Sequence, residues 1–590
     1  MSRFGGQKQI WEVFNRYLTR FSFSAPFLLY LTNVLLVYAN FLPNLGEINL
    51  WDEAAYVHSG YRFFISGLPD FGGNPLISLF YALTYLPFRN SPFWLVHSCS
   101  LGRFLLFSLL WLSTYLIAKR LSSLAPTVIM LGFLFVTPLA MDMLRFPSDP
   151  LFTAMAGLSL WQLLGFQQNR ERKHLWAASI FMGFAALARN DGLVLFAILV
   201  FLTLILSLRS NRWWTSMVAI VIPFLVMVGG YVLIYGVYSG DFSLGTGERT
   251  YENFESGHLT ILKPSHNINT TIEARLEARR VFGTPEENQY SVFKAISRNP
   301  EVYLQRLKVV LKALPSQILR VYGKRFATIL FFLAFVGVVE LVRRKDFGLL
   351  AILCLWPMHL ATGMIITIFR DGHLMFPFYV IFALAAIGLT SMLTRFADWR
   401  ERIFWTTILL GLVVYSVLDY KLAVTYNAAV FLIVLWLAVY SPQSSSASRQ
   451  SVSSLGLVIL FVGGLILRGA FPSPRLRTLG VDEKEQALLF LVENLETGDV
   501  LAVGSPGMAW AAKMTSLTLA SADTPTHRSP EAFLDWIISE GTKAIYVDHS
   551  LFNENPLVWD KIVPFINNGL QRIYVGDGGD IQVLLVESNQ

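Results

Sequence analysis

Residues 214–237 read WTSMVAIVIPFLVMVGGYVLIYGV, a run without one charged side chain. As a helix rising about 1.5 Å per residue, it reaches past the roughly 30 Å of bilayer hydrocarbon. The same criterion, about 20 predominantly apolar residues, applied outward from this run gives thirteen spans. They fall at 24–42, 98–118, 124–141, 150–166, 175–188, 192–208, 214–237, 323–342, 347–368, 374–394, 403–419, 422–440 and 455–471. The fifth and sixth are short and share the turn Arg189-Asn190-Asp191-Gly192, so they read either as two spans or as one broken, partly re-entrant pair. The first follows Arg3, Lys8, Arg16 and Arg20 with no small-x-small cleavage site behind it, and reads as an anchor.

Composition says the same. Of 590 residues, 54% are apolar and 15% charged, against about 25% charged in an ordinary soluble protein. A soluble fold could not cover that much apolar surface, so lipid must cover the rest. Cys99 and Cys354 both lie inside apolar runs, which leaves neither a disulfide framework nor a thiolate metal site. The net charge of +7 hides a split: residues 472–590 hold 8 Lys/Arg and 16 Asp/Glu. A basic membrane body joined to an acidic tail speaks of compartments and not of nucleic acid.

The basic residues set the expected orientation. With the N-terminus cytoplasmic, the inner loops collect Lys119, Arg120, Arg170, Arg172, Lys173, Arg209, Arg212, Arg343, Arg344, Lys345, Arg395, Arg400 and Arg402. That satisfies the positive-inside rule at each inner loop. The chain then divides into a transmembrane domain, 1–471, with long external loops at 43–97 and 238–322, and an external domain, 472–590. The polar stretch 441–454 is an inner linker. This places the protein as a multi-pass protein of a plasma (inner) membrane with a periplasmic or extracellular C-terminal domain, or of the endoplasmic reticulum if the source is eukaryotic.

The tail reads as a small α/β domain. Helical patterns at 482–497, 506–514, 530–541 and 556–568 alternate with extended segments at 500–504, 515–521 and 543–548. A closing hairpin, 572–575 with 581–587, turns around Gly576-Asp577-Gly578-Gly579-Asp580. It has no Gly-rich phosphate loop and no nucleophile elbow, so it is expected to position and not to react.

Unusual polar residues gather at the outer membrane edge: Asp52 and Glu53, Arg103, Asp142, Arg145 and Asp149, Arg189 and Asp191, then Arg370, Asp371 and His373. Ionisable groups at that depth are costly unless paired or functional. Each has a local alternative. Asp52-Glu53 heads an amphipathic helix, where an N-cap and a first-turn acid serve helix geometry alone. Asp149-Pro150 is a good helix start, Arg189 and Asp191 can pair across their turn, and Phe369-Arg370-Asp371-Gly372-His373 can be a polar interfacial turn. Their common side of the membrane is what points to one cavity holding acidic and cationic groups, of a kind that suits a lipid phosphate.

These residues resemble a family. Trp51-Asp52-Glu53-Ala54-Ala55-Tyr56, then Gly73-Asn74-Pro75-Leu76 and Arg103-Phe104-Leu105, look like the Asp-Glu-x-x-Tyr, Lys-Pro-Pro and Arg-Leu progression of the GT-C superfamily of glycosyltransferases. The likeness is to the branch of protein O-mannosyltransferases and the lipid A aminoarabinose transferase, with Asn74 where many members carry Lys. Ser148-Asp149-Pro150-Leu151 matches that branch's second acidic position. Ala188-Arg189-Asn190-Asp191-Gly192-Leu193 is similar to its Thr-Lys/Arg-x-x-Gly-Leu turn, and Arg370-Asp371-Gly372-His373-Leu374 with Phe376-Pro377 to its late segment. The pattern covers about 25–420 in order.

The resemblance implies transfer of a monosaccharide from a polyprenyl-phosphate or dolichyl-phosphate donor to a hydroxyl of a glycan, lipid or protein acceptor, with inversion. It makes Asp52 the base, Glu53 its alternate or partner, and Tyr56 a substrate-positioning residue. Arg370, His373, Arg189 and Arg103 become donor-phosphate contacts. Asp149 is a second support for Asp52 or, jointly with it, a ligand of Mg²⁺ or Mn²⁺; oxygen ligands suit either ion. The alternative class is a lipid or solute transporter or flippase, although transporters set their polar groups near the midplane, often between inverted repeats. A scaffold displaying the tail would need neither thirteen spans nor the outer cluster. In loop 238–322, residues 243–271 are polar and poor in apolar anchors and are expected to form a mobile lid. Residues 301–314 are expected to form an amphipathic helix on the interface.

Overall fold

In the computed structural model, the described residues are 48, 52–67, 74–121, 146–208, 213–240, 271–321, 324–360, 378–395 and, with short interruptions, 242–258 and 483–586. They are mostly helical. Ahead of the first long helix stand α1 (Asp52–Ser66) and α2 (Pro75–Tyr85), and α3 (Trp94–Leu121) follows. Pro75 sits at the first position of α2, where its missing N–H costs nothing, and Asn74 precedes it in extended conformation.

Next come α4 (Ser148–Asn169), α5 (Arg172–Ala188), α6 (Asp191–Ser207), α7 (Trp213–Phe224) and α8 (Gly230–Ser239). A π-helical turn, Leu225–Gly229, joins the last two after Pro223, which has no N–H to donate. Then come α9 (Thr271–Phe282), α10 (Val292–Arg298) and α11 (Pro300–Val321). The chain continues through α12 (Lys324–Arg343), α13 (Phe347–Leu355) with a 3₁₀ turn at Trp356–His359, and α14 (Phe378–Arg395).

Helices therefore occupy the described parts of the expected spans 98–118, 150–166, 175–188, 192–208, 214–237, 323–342, 347–368 and 374–394; residues 323, 361–368 and 374–377 lie outside the described residues. The expected spans at 24–42, 124–141, 403–419, 422–440 and 455–471 lie outside the described residues. Trp94–Leu121 and Trp213–Ser239 are each long and apolar enough to cross a membrane. The outward stripe of the second carries Trp214, Val218, Ile222, Val226, Leu233 and Val237, with Val226 68% exposed and Val237 77% exposed. A stripe of large apolar side chains facing outward is a lipid-facing surface, and this is a membrane protein. The fifth and sixth spans are two separate helices, α5 and α6. Gly192 allows their close approach, since a Cβ there would lie 2.4 Å from the Ala186 backbone nitrogen. The same device brings α12 to α14, where a Cβ on Gly337 or Gly388 would lie 2.0 Å from the carbonyl oxygen of Leu384 or Leu333. Small residues at crossings are how helices associate where lipid removes the hydrophobic drive.

The tail contains α15 (Glu483–Asn494), α16 (Gly507–Ala511), α17 (Pro530–Ser539) and α18 (Pro556–Ile562). Its strands are β1 (Val500–Val503), β2 (Thr515–Thr518), β3 (Thr542–Val547), β4 (Leu570–Val575) and β5 (Gln582–Val586). The sheet order is β2-β1-β3-β5-β4. Strands β2, β1 and β3 are parallel, while β5 is antiparallel to both β3 and β4. Side chains alternate as the pleat requires. Leu501, Val503, Ala544, Tyr546 and Val583 join one apolar cluster, which runs on into the helical body. Ala502, Ile545, Val547, Leu584 and Val586 pack on the other face with Phe533, Ile537 and Val558.

Part of the stretch expected to be a mobile lid is anchored. Residues 250–255 are helical, and Tyr251 and Phe254 are buried with Phe282, Val292, Ala295 and Tyr303. Arg306 of α11 is 1% exposed and does not face the interface. It donates to the Phe254 carbonyl at 2.9 Å and lies over that ring; burial draws its guanidinium down to about 10. Two aromatic side chains and one buried arginine thus anchor 250–255, so a lid spanning all of 243–271 does not fit. Of the expected lid, residues 243, 245–249, 256 and 259–270 lie outside the described residues.

Candidate functional site

The site starts at the head of α1. Its first turn carries Asp52 and Glu53, and the helical repeat puts Glu53 and Tyr56 on one inward face. Gly60 lets that face reach α2, because a Cβ there would lie 2.4 Å from the Tyr81 carbonyl carbon. Ser78 of α2 donates to Ser59 at 3.0 Å, and Ser59 to the Tyr56 carbonyl at 2.7 Å.

Glu53 is fully buried and Arg103 of α3 is 4% exposed. Arg103 donates from Nε to Oε1 of Glu53 at 2.7 Å and from Nη2 to Oε2. This two-pronged geometry satisfies both charges at once, which a buried pair needs. The structure thus commits Arg103 to Glu53.

A second network lies beside the first. The Tyr56 hydroxyl donates to Ser148 Oγ at 3.3 Å, and Ser148 to Asp149 Oδ1 at 3.4 Å. Asp149, 4% exposed, accepts from Arg189 Nη1. Arg189 also donates from Nε to Asp191 Oδ2 at 2.8 Å. Asp149 is in the first turn of α4, yet no side chain caps that helix, so the carboxylate serves the network and not the helix end. Arg189 and Asp191 do pair across their turn, and Asp149 completes a triad over three helices. Asp52 is partly exposed, as are Arg189 and Asp191. Arg370 and His373 lie outside the described residues.

His359, at the end of the 3₁₀ turn, is a residue that sequence reading passed over. It is 1% exposed, holds the Trp356 carbonyl through Nδ1 at 2.7 Å, packs edge-on to Phe152 and lies within electrostatic reach of Asp191 and Arg189. Its signal was a lone histidine inside an apolar run. Among the described residues, no group of three or more His, Cys, Asp or Glu side chains could hold a metal ion. Asp149 is already neutralised by Arg189. The donor set expected for a divalent cation at Asp52 and Asp149 is therefore not assembled by these residues.

No protein-family model matches the sequence, and no curated protein does. Solved structures do. ArnT from Cupriavidus metallidurans, solved with undecaprenyl phosphate bound, superposes with a TM-score of 0.51 at 14% identity, covering 96% of this chain and 99% of that one. An Archaeoglobus fulgidus oligosaccharyltransferase tethered to an acceptor peptide gives 0.49 at 12% identity over 96% of this chain and 74% of that one. The arabinosyltransferase EmbB from Mycobacterium smegmatis gives 0.37 at 11% identity, covering 77% and 41%. The ArnT match extends over nearly the whole of both chains and shows a shared fold. The GT-C resemblance read from the short motifs therefore holds at the level of architecture.

Proposed function

We propose that this protein is a glycosyltransferase that moves a monosaccharide from a polyprenyl-phosphate donor to an acceptor hydroxyl at the outer face of the membrane. One observation carries the reading: Asp52 is partly exposed while its neighbours on α1, Glu53 and Tyr56, are bolted to α3 and α4. A carboxylate held on so fixed a helix turn is suited to general-base work, where placement decides efficiency. ArnT, a solved structure that shares the fold, holds undecaprenyl phosphate, in keeping with a lipid phosphate as donor.

In this reading Asp52 takes the acceptor's proton as its oxygen bonds to the anomeric carbon. The carbon–oxygen bond to phosphate breaks on the opposite face, its electron pair leaves with the phosphate, and configuration inverts. Fixed cations in a dry site stabilise that leaving charge. Arg189, Arg370 and His373 are the proposed contacts, and Arg103 acts through Glu53, to which it is bound. Tyr56 positions substrate and ties α1 to the Asp149 network.

The test is acceptor-dependent release of polyprenyl phosphate by purified full-length protein given polyprenyl-phosphate-linked monosaccharides. Release by the wild type and its loss in Asp52→Asn are expected. Passage of intact donor across vesicle membranes without cleavage would overturn the reading in favour of a flippase.

A further inference from the structure

Helix α16 of the tail ends in a Schellman turn. Met514 N–H donates to the Ala509 carbonyl at 2.8 Å and Lys513 N–H to the Trp510 carbonyl at 3.0 Å. The residue between those bonds takes the left-handed conformation, and glycine usually occupies it. Here it is Lys513, at φ 58°. A lysine at that position accepts a backbone conformation that disfavours any Cβ, as Arg170 and Lys345 also do here; what sets Lys513 apart is where its side chain goes.

That side chain leaves the tail. Its ammonium lies 5.6 Å from the ring centre of Tyr61, 6.0 Å from Tyr85 and 5.9 Å from Trp94. It also donates to the Arg89 carbonyl at 3.3 Å. The three rings pack on one another at 5.2 to 5.4 Å and come from α1, α2 and α3. Around them the indole of Trp94 donates to the Ala511 carbonyl at 3.0 Å, taking up an acceptor at the end of α16. The His58 ring stacks on Trp510 at 5.1 Å and 7°. Partial burial draws the Lys513 ammonium below the ordinary lysine range, while the electron-rich ring faces favour its charge.

We infer that Lys513 is a positioning residue, a cationic latch that fixes the C-terminal domain in the aromatic box of Tyr61, Tyr85 and Trp94 and so holds α1, with Asp52 at its head, in working position. The inference rests on the proposed transferase reading for its kinetic arm only. Helix α1 is a lever. It touches the tail at His58 and Tyr61, meets the α2 backbone at Gly60, and presents Asp52 eight residues, or about 12 Å, from that contact. Loosening the tail frees the far end of α1 and leaves the turn that carries Asp52 held by the Glu53–Arg103 and Tyr56–Ser148 contacts alone, so the carboxylate is placed less closely.

The experiment compares full-length wild type with Lys513→Ala, Lys513→Gly and Lys513→Arg by hydrogen exchange over 56–66 and 507–514, and by transfer kinetics. Lys513→Gly removes the backbone strain, so a misfolded tail cannot account for its behaviour. Exchange on the order of tenfold faster in both peptides is expected for Ala and Gly, with restoration by Arg. The same two variants should lose kcat on the order of tenfold at unchanged donor KM. Unchanged exchange in Lys513→Ala and Lys513→Gly overturns the latch. Faster exchange with unchanged kcat overturns the positioning role. If the wild type transfers no sugar, the transferase reading fails while the exchange arm still decides the latch.

Discussion

The Arg103 guanidinium and the Glu53 carboxylate form a two-pronged pair across fifty residues of sequence, with both groups removed from solvent. The pair joins the helix that begins with the candidate base to a helix long enough to span the membrane. Breaking one side of such a pair leaves a buried charge without its counter-charge, which costs about 3–5 kcal/mol. Glu53→Gln should therefore lower the melting temperature of the purified protein. Arg103→Lys should do so too, since an ammonium cannot make the parallel bonds. The double variant Glu53→Leu with Arg103→Met should recover much of the loss. Equal melting temperatures for wild type and Glu53→Gln would show the pair to be structurally idle.

Asp52→Asn should behave differently. Asp52 is partly exposed at a helix start, so little packing is at stake, whereas the amide cannot accept a proton. Transfer should fall by about 10²–10⁴ with thermal stability unchanged. Near-normal turnover would remove Asp52 as base.

Gly60→Ala tests the seating of α1. The added Cβ would lie within 2.4 to 2.6 Å of three atoms of Tyr81 and Ala82, two of them backbone, and backbone cannot swing aside. The two helices must part, at a cost of roughly 1–3 kcal/mol, and activity should fall with stability. Gly67→Ala, a position with open space around it but a left-handed φ of 72°, should strain only its own turn and spare transfer. If Gly60→Ala retains full activity, the close contact with α2 does not set the position of Asp52.

Stability should depend on pH through His58. Burial first, and the charge of Arg62 second, hold its imidazole down to about 4 from the ordinary 6.5. The native state thus binds fewer protons than the unfolded state between these values. Its contribution is full above pH 6.5 and is lost as pH falls toward 4, to a total of about 3 kcal/mol. His58→Phe keeps a ring against Trp510 without a titrating group. Melting temperatures measured from pH 7.5 to 4.5 should fall more steeply for wild type than for His58→Phe. Parallel curves would mean that His58 is not the titrating group.

Much of this architecture is written locally. An uninterrupted apolar run such as 214–237 specifies a helix and its lipid-facing surface, because burying backbone in hydrocarbon permits little else. The tail's alternation of periods placed its strands and helices within a few residues. The sequence also pointed to α1 as an amphipathic helix headed by Asp52 and Glu53. Partner choice was not legible. Arg103 and Arg189 look alike in sequence as cations at a membrane edge, and only helix packing gives the first to Glu53 and the second to Asp149 and Asp191. Arg306 lies within 301–314, the stretch the sequence assigned to the interface, and the fold buries it against Phe254. Lys513 gave no signal at all, since the rings that receive it lie more than four hundred residues away. Periodicity is a property of neighbours along the chain, whereas an ion pair or a cation on a ring is settled by which surfaces tertiary packing brings together.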